Sequence, residues 1–241
     1  MTSANQLKVK LFADGADLYS MLDLYKDPKI KGFTTNPTLM KQAGITNYEN
    51  FAKQVLTAIP DRPVSFEVFA DDPAGMLAQA KMIASWGPNV NVKIPITNTN
   101  GNFTGSIIKE LAATGVQLNI TAIMTREQVK AVAENLTSET SAIVSVFAGR
   151  IADTGLDPMP IMRDCVELLK DLPKAELLWA SPRELLNIIQ ADEVGCHIIT
   201  ATPDVLGKLK SLEKDLTEFS LETVRMFYDD ALAAGYTINI A

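Results

Sequence analysis

The sequence predicts a single parallel (β/α)8 barrel, and three observations carry that expectation. Strand-like apolar runs alternate eight times with helix-spaced apolar residues over 241 residues. No GxGxxG follows the first strand, as the competing doubly wound dinucleotide-binding sheet would want. Glu67, Lys93, Asn119 and Ser145 are polar residues in otherwise apolar strands, each 26 positions after the last (93−67, 119−93, 145−119). One βα unit separates each pair, so equal spacing puts the four at similar height inside the barrel.

Taken in order, Val9 to Phe12 reads as a strand and Ala16 to Tyr25 as a helix. Ile30 to Thr34 is the second strand; Thr35-Asn36-Pro37 ends it with turn chemistry, and a helix follows through Tyr48 to Leu56. Val64 to Phe69 is the third strand, and Asp71-Asp72-Pro73 caps a helix through Met82. Asn89 to Pro95 is the fourth, followed by a helix from Phe103 to Ala113. Val116 to Thr121 is the fifth, with Thr125 as N-cap of the helix to Ala133. Ala142 to Phe147 and Glu176 to Ala180 are strands six and seven, followed by helices from Pro158 to Leu172 and from Pro182 to Ile189. Cys196 to Thr200 is the eighth strand, and helices at Asp204 to Leu212 and Leu216 to Ala234 close the chain. The barrel is expected over residues 1–214, with 215–241 as a helical extension packing on the barrel or on a neighbouring subunit.

Composition narrows the function. Hydrophobic residues make up 47% and charged residues 21%, as in globular proteins with a sizeable core. A net charge of -7 and a pI near 4.8 argue against nucleic acid as a partner. Met1 to Gln6 lacks the layout of a signal peptide, and no apolar run is long enough to span a bilayer, so no membrane association and a cytoplasmic location are expected. Cys165 and Cys196 are far apart and suggest neither a disulfide framework nor a zinc site.

Lys93 sits where a buried strand would carry another Val or Ile. A charged lysine in apolar packing costs several kcal/mol, so it finds a partner or gives up its proton. On Asn89 to Pro95 alone, a lysine snorkelling from the strand end is the simpler reading. The shared layer shifts the weight toward a site, because structural interior layers of such barrels are mostly Val, Ile and Leu. Flanking strands add Asp14, Thr34, Asn36 and Ser181. His197, the one histidine, reads as a core residue, which leaves a Ser-His-Asp mechanism without its base. A metal site on Asp14 and Glu67 would compete with the lysine and lacks further ligands. Amine catalysis remains: Lys93 attacks a ketone, the iminium acts as an electron sink, and a carboxylate manages the hydroxyl proton. Either carboxylate could instead be a structural ion-pair partner of Lys93. Arg150 after strand six, with Ser181 and Arg183 opening the next helix, forms a second group suited to phosphate.

With these motifs assembled, the chain resembles the transaldolases, in particular the short members grouped with fructose-6-phosphate aldolase. The matching stretches are Ala13-Asp14 with Asp17, Thr34 to Leu39, Val92 to Pro95, Asn119 to Thr121, Ser145 through Gly149-Arg150-Ile151 with Asp153, Ala180 to Arg183, and Gly195-Cys196 with Thr200. The resemblance implies a cofactor-free enzyme moving a dihydroxyacetone unit between sugar phosphates. By it, Lys93 looks like the Schiff-base lysine and Asp14 like the acid/base at the C4 hydroxyl. Glu67 and Thr121 would hold and activate the catalytic water, and Asn36 and Asn119, beside Thr34 and Ser145, would bind the dihydroxyacetone hydroxyls. Arg150, Ser181 and Arg183 would take the phosphate.

Within the family, Glu67 and Phe147 resemble transaldolases, whereas the aldolase branch has Gln and Tyr there. Gly15, Ala148 and Pro182 depart from the usual Thr, Val or Asn, and Phe, and Pro182 leaves open whether the anion is phosphate or another acidic headgroup. Besides a transaldolase, the residues allow an aldolase releasing free dihydroxyacetone, or a non-catalytic sugar-phosphate-binding barrel. The family's short members form pentameric rings and decamers through C-terminal helices, so a homo-oligomer is expected.

Overall fold

A computed structural model describes residues 7–240; the signal-peptide reading of residues 1–6 and the last residue of the C-terminal extension, Ala241, lie outside them. Eight strands close a parallel barrel in chain order: β1 Lys10–Asp14, β2 Ile30–Thr34, β3 Val64–Glu67, β4 Val90–Pro95, β5 Leu118–Ile123, β6 Ala142–Val146, β7 Ala175–Trp179 and β8 Ile198–Ala201. β1 pairs with both β2 and β8, which closes the ring and leaves no strand edge in it.

Alternation along each strand sorts the side chains. On β4, Val90, Val92 and Ile94 face the helices and join the main hydrophobic cluster, while Lys93 faces the axis. Fully burying such a side chain contributes about 1.5–3 kcal/mol, so three of them hold the strand against the cost of carrying the lysine inward. Inside the barrel, Phe12, Ile143, Leu178, Ala180 and Ile198 form a separate cluster. The Phe12 ring covers Gly32, its register partner; a Cβ there would meet the ring at 2.5 Å. Leu178 and Ala180 of this cluster also line the cavity described below.

The helices are α1 Leu18–Tyr25, α2 Pro37–Gln42, α3 Tyr48–Ala58, α4 Pro73–Ala84, α5 Gly105–Ala113, α6 Arg126–Ala133, α7 Ala148–Ala152, α8 Pro158–Leu168, α9 Leu186–Glu193, α10 Pro203–Gly207 and α11 Leu216–Ala233. Side-chain caps start several of them: Asp17, Asn36, Asn47, Asp72 and Asp157 each accept a first-turn N–H, and Thr125 with Gln128 forms a capping box. Two short helices go beyond the expected elements: α2 follows the turn read at Thr35-Asn36-Pro37, and α7 follows β6. The helix expected from Pro182 begins only at Leu186, because Asn187 Oδ1 takes up the N–H groups of Arg183 and Glu184 and holds that stretch as a loop.

No residue of the C-terminal helix α11 is buried. Phe219, Leu221, Val224, Phe227 and Leu232 are exposed, as is Leu216 at 80%. No helix among the described residues is long and apolar enough to cross a membrane.

Candidate active site

The equal spacing of the polar residues holds for three strands. Glu67 is the register partner of Lys93 and Lys93 of Asn119. Ser145 departs: Asn119 pairs with Ile143, so Ser145 lies one inward-facing position nearer the strand ends. Further along β5 the register breaks between Ile120 and Ile123, where Ala122 takes a φ of 62°. Such left-handed backbone is costly for a residue with a Cβ and tends to be kept where a site needs it. Ser145 still reaches Asn119, donating to its Oδ1 at 2.7 Å, and Asn119 Nδ2 donates to Ser65 at 2.9 Å.

Lys93 is buried and has two partners. Its Nζ lies 3.0 Å from Glu67 Oε2 and donates to the Thr35 carbonyl at 2.8 Å. The snorkelling geometry is thereby ruled out. On the far side of β2, Thr34 Oγ1 donates to Asp14 Oδ1 at 2.8 Å and lies 2.5 Å from Thr200 Oγ1. With the Thr34 proton given to the carboxylate, the Thr200 hydroxyl is the donor in the second contact. Burial lifts the Asp14 carboxyl above the ordinary aspartate range; Lys93 and the Thr34 hydrogen bond pull it part of the way back, and Glu67 pushes it up.

Thr121 Oγ1 is buried and has no protein partner among the described residues. A hydroxyl kept in that state at a cavity wall is available to a ligand. Asn36 Oδ1 caps α2 by accepting from Leu39 N, which leaves its amide N–H groups for the cavity.

The anion group is shaped by a close backbone contact. Gly149 lies against Ser181, whose φ is 57°; a Cβ on Gly149 would come within 1.5 Å of the Ser181 carbonyl oxygen. Arg150 stacks over Phe147 at 5.5 Å, and Arg183 makes a bidentate pair with Asp153, whose carboxyl it holds below the ordinary range. Arg183 is therefore a shared rather than a free cation. The helix start expected beside it is absent for the reason given above.

All twelve residues expected from the sequence meet at one cavity of about 490 Å³: Asp14, Thr34, Asn36, Glu67, Lys93, Asn119, Thr121, Ser145, Phe147, Arg150, Ser181 and Arg183. Gln42, Met124 and Leu178 also line it. Gln42 was not anticipated because it arrives on α2, and Met124 because it follows the bulge of β5. His197 lies at the opposite end of β8, exposed rather than in the core, with Nδ1 accepting from Leu177 N. Among the described residues no cluster of three or more His, Cys, Asp or Glu is placed to hold a metal ion.

Residues 11–238 match the family model described as Transaldolase/Fructose-6-phosphate aldolase. The chain belongs to the transaldolase/fructose-6-phosphate aldolase family. Relatives of similar length agree with this assignment. The "Probable transaldolase" of Dehalococcoides mccartyi is 35% identical over 87% of this chain and 93% of its own, and that of Nitrosopumilus maritimus 32% identical over 96% and 100%. Among solved structures, dihydrodipicolinate synthase from Rhodopseudomonas palustris covers 94% of the chain, and the chain 80% of it, at a TM-score of 0.56 and 14% identity. That likeness concerns the barrel alone. As a member of an aldolase family, the chain is an enzyme whose cavity is placed, as in other such barrels, at the C-terminal ends of the strands.

Proposed function

We propose that the protein is a transaldolase that moves a dihydroxyacetone unit from a ketose phosphate, fructose 6-phosphate or sedoheptulose 7-phosphate, to an aldose phosphate through a Schiff base on Lys93, without a cofactor. The observation that carries this reading is the contact of buried Lys93 with Glu67, 3.0 Å apart in a cavity shared with Asp14.

Lys93 yields a proton and attacks the C2 ketone; the carbinolamine loses water to give an iminium. Glu67 is within reach of that proton, and the unpartnered Thr121 hydroxyl is available to the water. Asp14 then takes the proton of the C4 hydroxyl, the C3–C4 bond breaks, and its electron pair passes to the iminium, leaving an enamine and an aldose phosphate. A carboxyl raised above its ordinary range suits this step, because its affinity lies nearer to that of the group it serves. The enamine attacks the acceptor aldehyde, Asp14 returns the proton, and hydrolysis frees Lys93. Asn36, Asn119, Thr34 and Ser145 hold the donor's hydroxyls, while Arg150, Ser181 and Arg183 hold the phosphate. Glu67 and Phe147, rather than Gln and Tyr, favour transfer over release of free dihydroxyacetone.

Borohydride reduction with fructose 6-phosphate tests the chemistry, with a covalent adduct on the Lys93 peptide expected; no adduct rejects it. Turnover of fructose 6-phosphate should depend on erythrose 4-phosphate, and abundant free dihydroxyacetone without acceptor points to the aldolase instead.

The proposed state is a homo-oligomer joined through α11, a pentameric ring or decamer, supported by the exposed apolar side chains of that helix. Light scattering of the intact chain against one ending at Lys214 is expected to give an assembly and a smaller species, respectively; equal masses reject the role of the helix.

A further inference from the structure

The seam between β2 and β3 stops early, and the reason lies outside both strands. The parallel ladder runs through Phe33 N to Pro63 O and Thr35 N to Ser65 O. Its next two bonds would join Glu67 N to Thr35 O and residue 37 N to Glu67 O. Neither forms. Residue 37 is Pro and has no N–H, and Thr35 O instead accepts from Lys93 Nζ at 2.8 Å.

Both orphaned main-chain groups of Glu67 go to one side chain. Glu67 N donates to Tyr48 Oη at 2.7 Å, and Tyr48 Oη donates to Glu67 O at 3.0 Å. Tyr48 opens α3, and its ring is held edge-on by Phe69, Trp86 and Phe66, with centroids 4.5, 5.6 and 6.1 Å away.

We propose that Tyr48 is a positioning residue whose hydroxyl replaces the missing ladder partners of Glu67, and so keeps the Thr35 carbonyl free to hold the ammonium of Lys93. One phenol thereby fixes the backbone that carries the carboxylate and reserves the second acceptor of the lysine. Without the hydroxyl, Glu67 N–H turns to Thr35 O, the seam closes by one bond, and Lys93 keeps Glu67 alone. The charged groups facing Lys93 are Glu67 from β3 and Asp14 from β1. β5 and β6 present uncharged Asn119, Thr121 and Ser145, and Arg150 and Arg183 line the cavity from exposed positions after β6 and β7.

The test compares wild type, Tyr48→Phe and Tyr48→Leu. Lys93 is methylated with formaldehyde and cyanoborohydride across a pH series and its extent read by peptide mass spectrometry, which needs no sugar substrate. Tyr48→Phe is expected to lower the pH midpoint by about half a unit to one unit, since the ammonium loses an acceptor. On the acid limb Lys93 then reacts roughly three- to tenfold faster. The kinetic arm rests on the transaldolase reading: kcat falls about tenfold while KM for fructose 6-phosphate stays within about twofold.

An unchanged midpoint in folded Tyr48→Phe overturns the proposal, and so does an effect confined to Tyr48→Leu, which would assign Tyr48 to packing. In the wild-type protein, the Tyr48 hydroxyl proton should exchange slowly and show a nuclear Overhauser contact to the Glu67 amide; a fast-exchanging hydroxyl overturns it without any variant. A shifted midpoint in a protein whose Lys93 forms no sugar adduct sustains the role of Tyr48 and rejects the transaldolase.

Discussion

Lys93 and Glu67 are register partners on β4 and β3, and their side chains meet at 3.0 Å with only 7% and 17% of each exposed. Little water screens the pair, so it differs from surface ion pairs worth a few tenths of a kcal/mol. Removing one partner of a buried pair costs about 3–5 kcal/mol. Here the Thr35 carbonyl still receives the ammonium, and we expect Glu67→Gln to cost about 2–3 kcal/mol, or roughly 4–12 °C in Tm by thermal unfolding. The double variant Lys93→Met with Glu67→Gln should recover much of that loss, because no uncompensated charge remains. Additive losses would show that the two do not act as a pair.

Asp14 makes the opposite prediction for stability. Its folded pKa is raised, so ionising it costs more in the folded than in the unfolded protein. Wild type therefore loses stability as pH climbs from the ordinary aspartate value through the raised one. Asp14→Asn does not titrate and still accepts from Thr34. Its Tm should exceed that of wild type at pH 7, with the gap closing as pH falls toward 3.8, the ordinary aspartate value. Activity should fall about 10²–10⁴-fold, as for loss of an acid/base group. A gap that widens on acidification would show that the carboxyl is stabilised as an anion.

Barrel and site were legible in the sequence for one reason: a fixed strand-plus-helix repeat turns spacing into register. Glu67, Lys93 and Asn119 follow it, and the inward step of each is set by the period of two along a strand. Ser145 does not, since Asn119 pairs with Ile143, 24 positions on (143−119) rather than 26, and nothing in the sequence announces that step or the left-handed Ala122 that follows it. Helix α2 was hidden because Asn36-Pro37 is equally good as a turn and as an N-cap with Pro at N1. Gln42 is carried by that helix and is hidden with it. Pro182 misled in the other direction: a proline fits a first helical turn, but Asn187 satisfies the N–H groups that would have begun one. Tyr48 carried no signal at all, because a tyrosine on the apolar face of a helix reads as core.

Gly149 is required by space rather than by conformation. Its backbone is not left-handed, yet a methyl there would overlap the Ser181 carbonyl. Main chain on both sides has no rotamer to turn away, so overpacking should reach or exceed the usual range of 1–3 kcal/mol. We expect Gly149→Ala to lower Tm by about 6–12 °C. Because Ser181 and Arg150 flank the contact, KM for sugar phosphates should rise by about tenfold while Lys93 still forms its borohydride adduct. An unaltered KM would separate this contact from anion binding.

Phe147 lines the cavity beside Arg150, and on the proposed transaldolase mechanism its apolar ring offers no proton to the enamine. A carbon nucleophile denied a proton persists until an electrophile arrives, which is what transfer to an acceptor sugar needs. Phe147→Tyr places a hydroxyl on the same ring, and a well-placed acid contributes about 10²–10⁴-fold to a proton transfer. Even a fraction of that should raise release of free dihydroxyacetone from fructose 6-phosphate, measured without erythrose 4-phosphate, by about tenfold relative to transfer. Transfer itself falls in the same variant, because protonation and acceptor attack compete for one enamine. A release rate equal to that of wild type would move the control of enamine fate from Phe147 to another wall of the cavity, where Met124 and Leu178 are the remaining apolar neighbours.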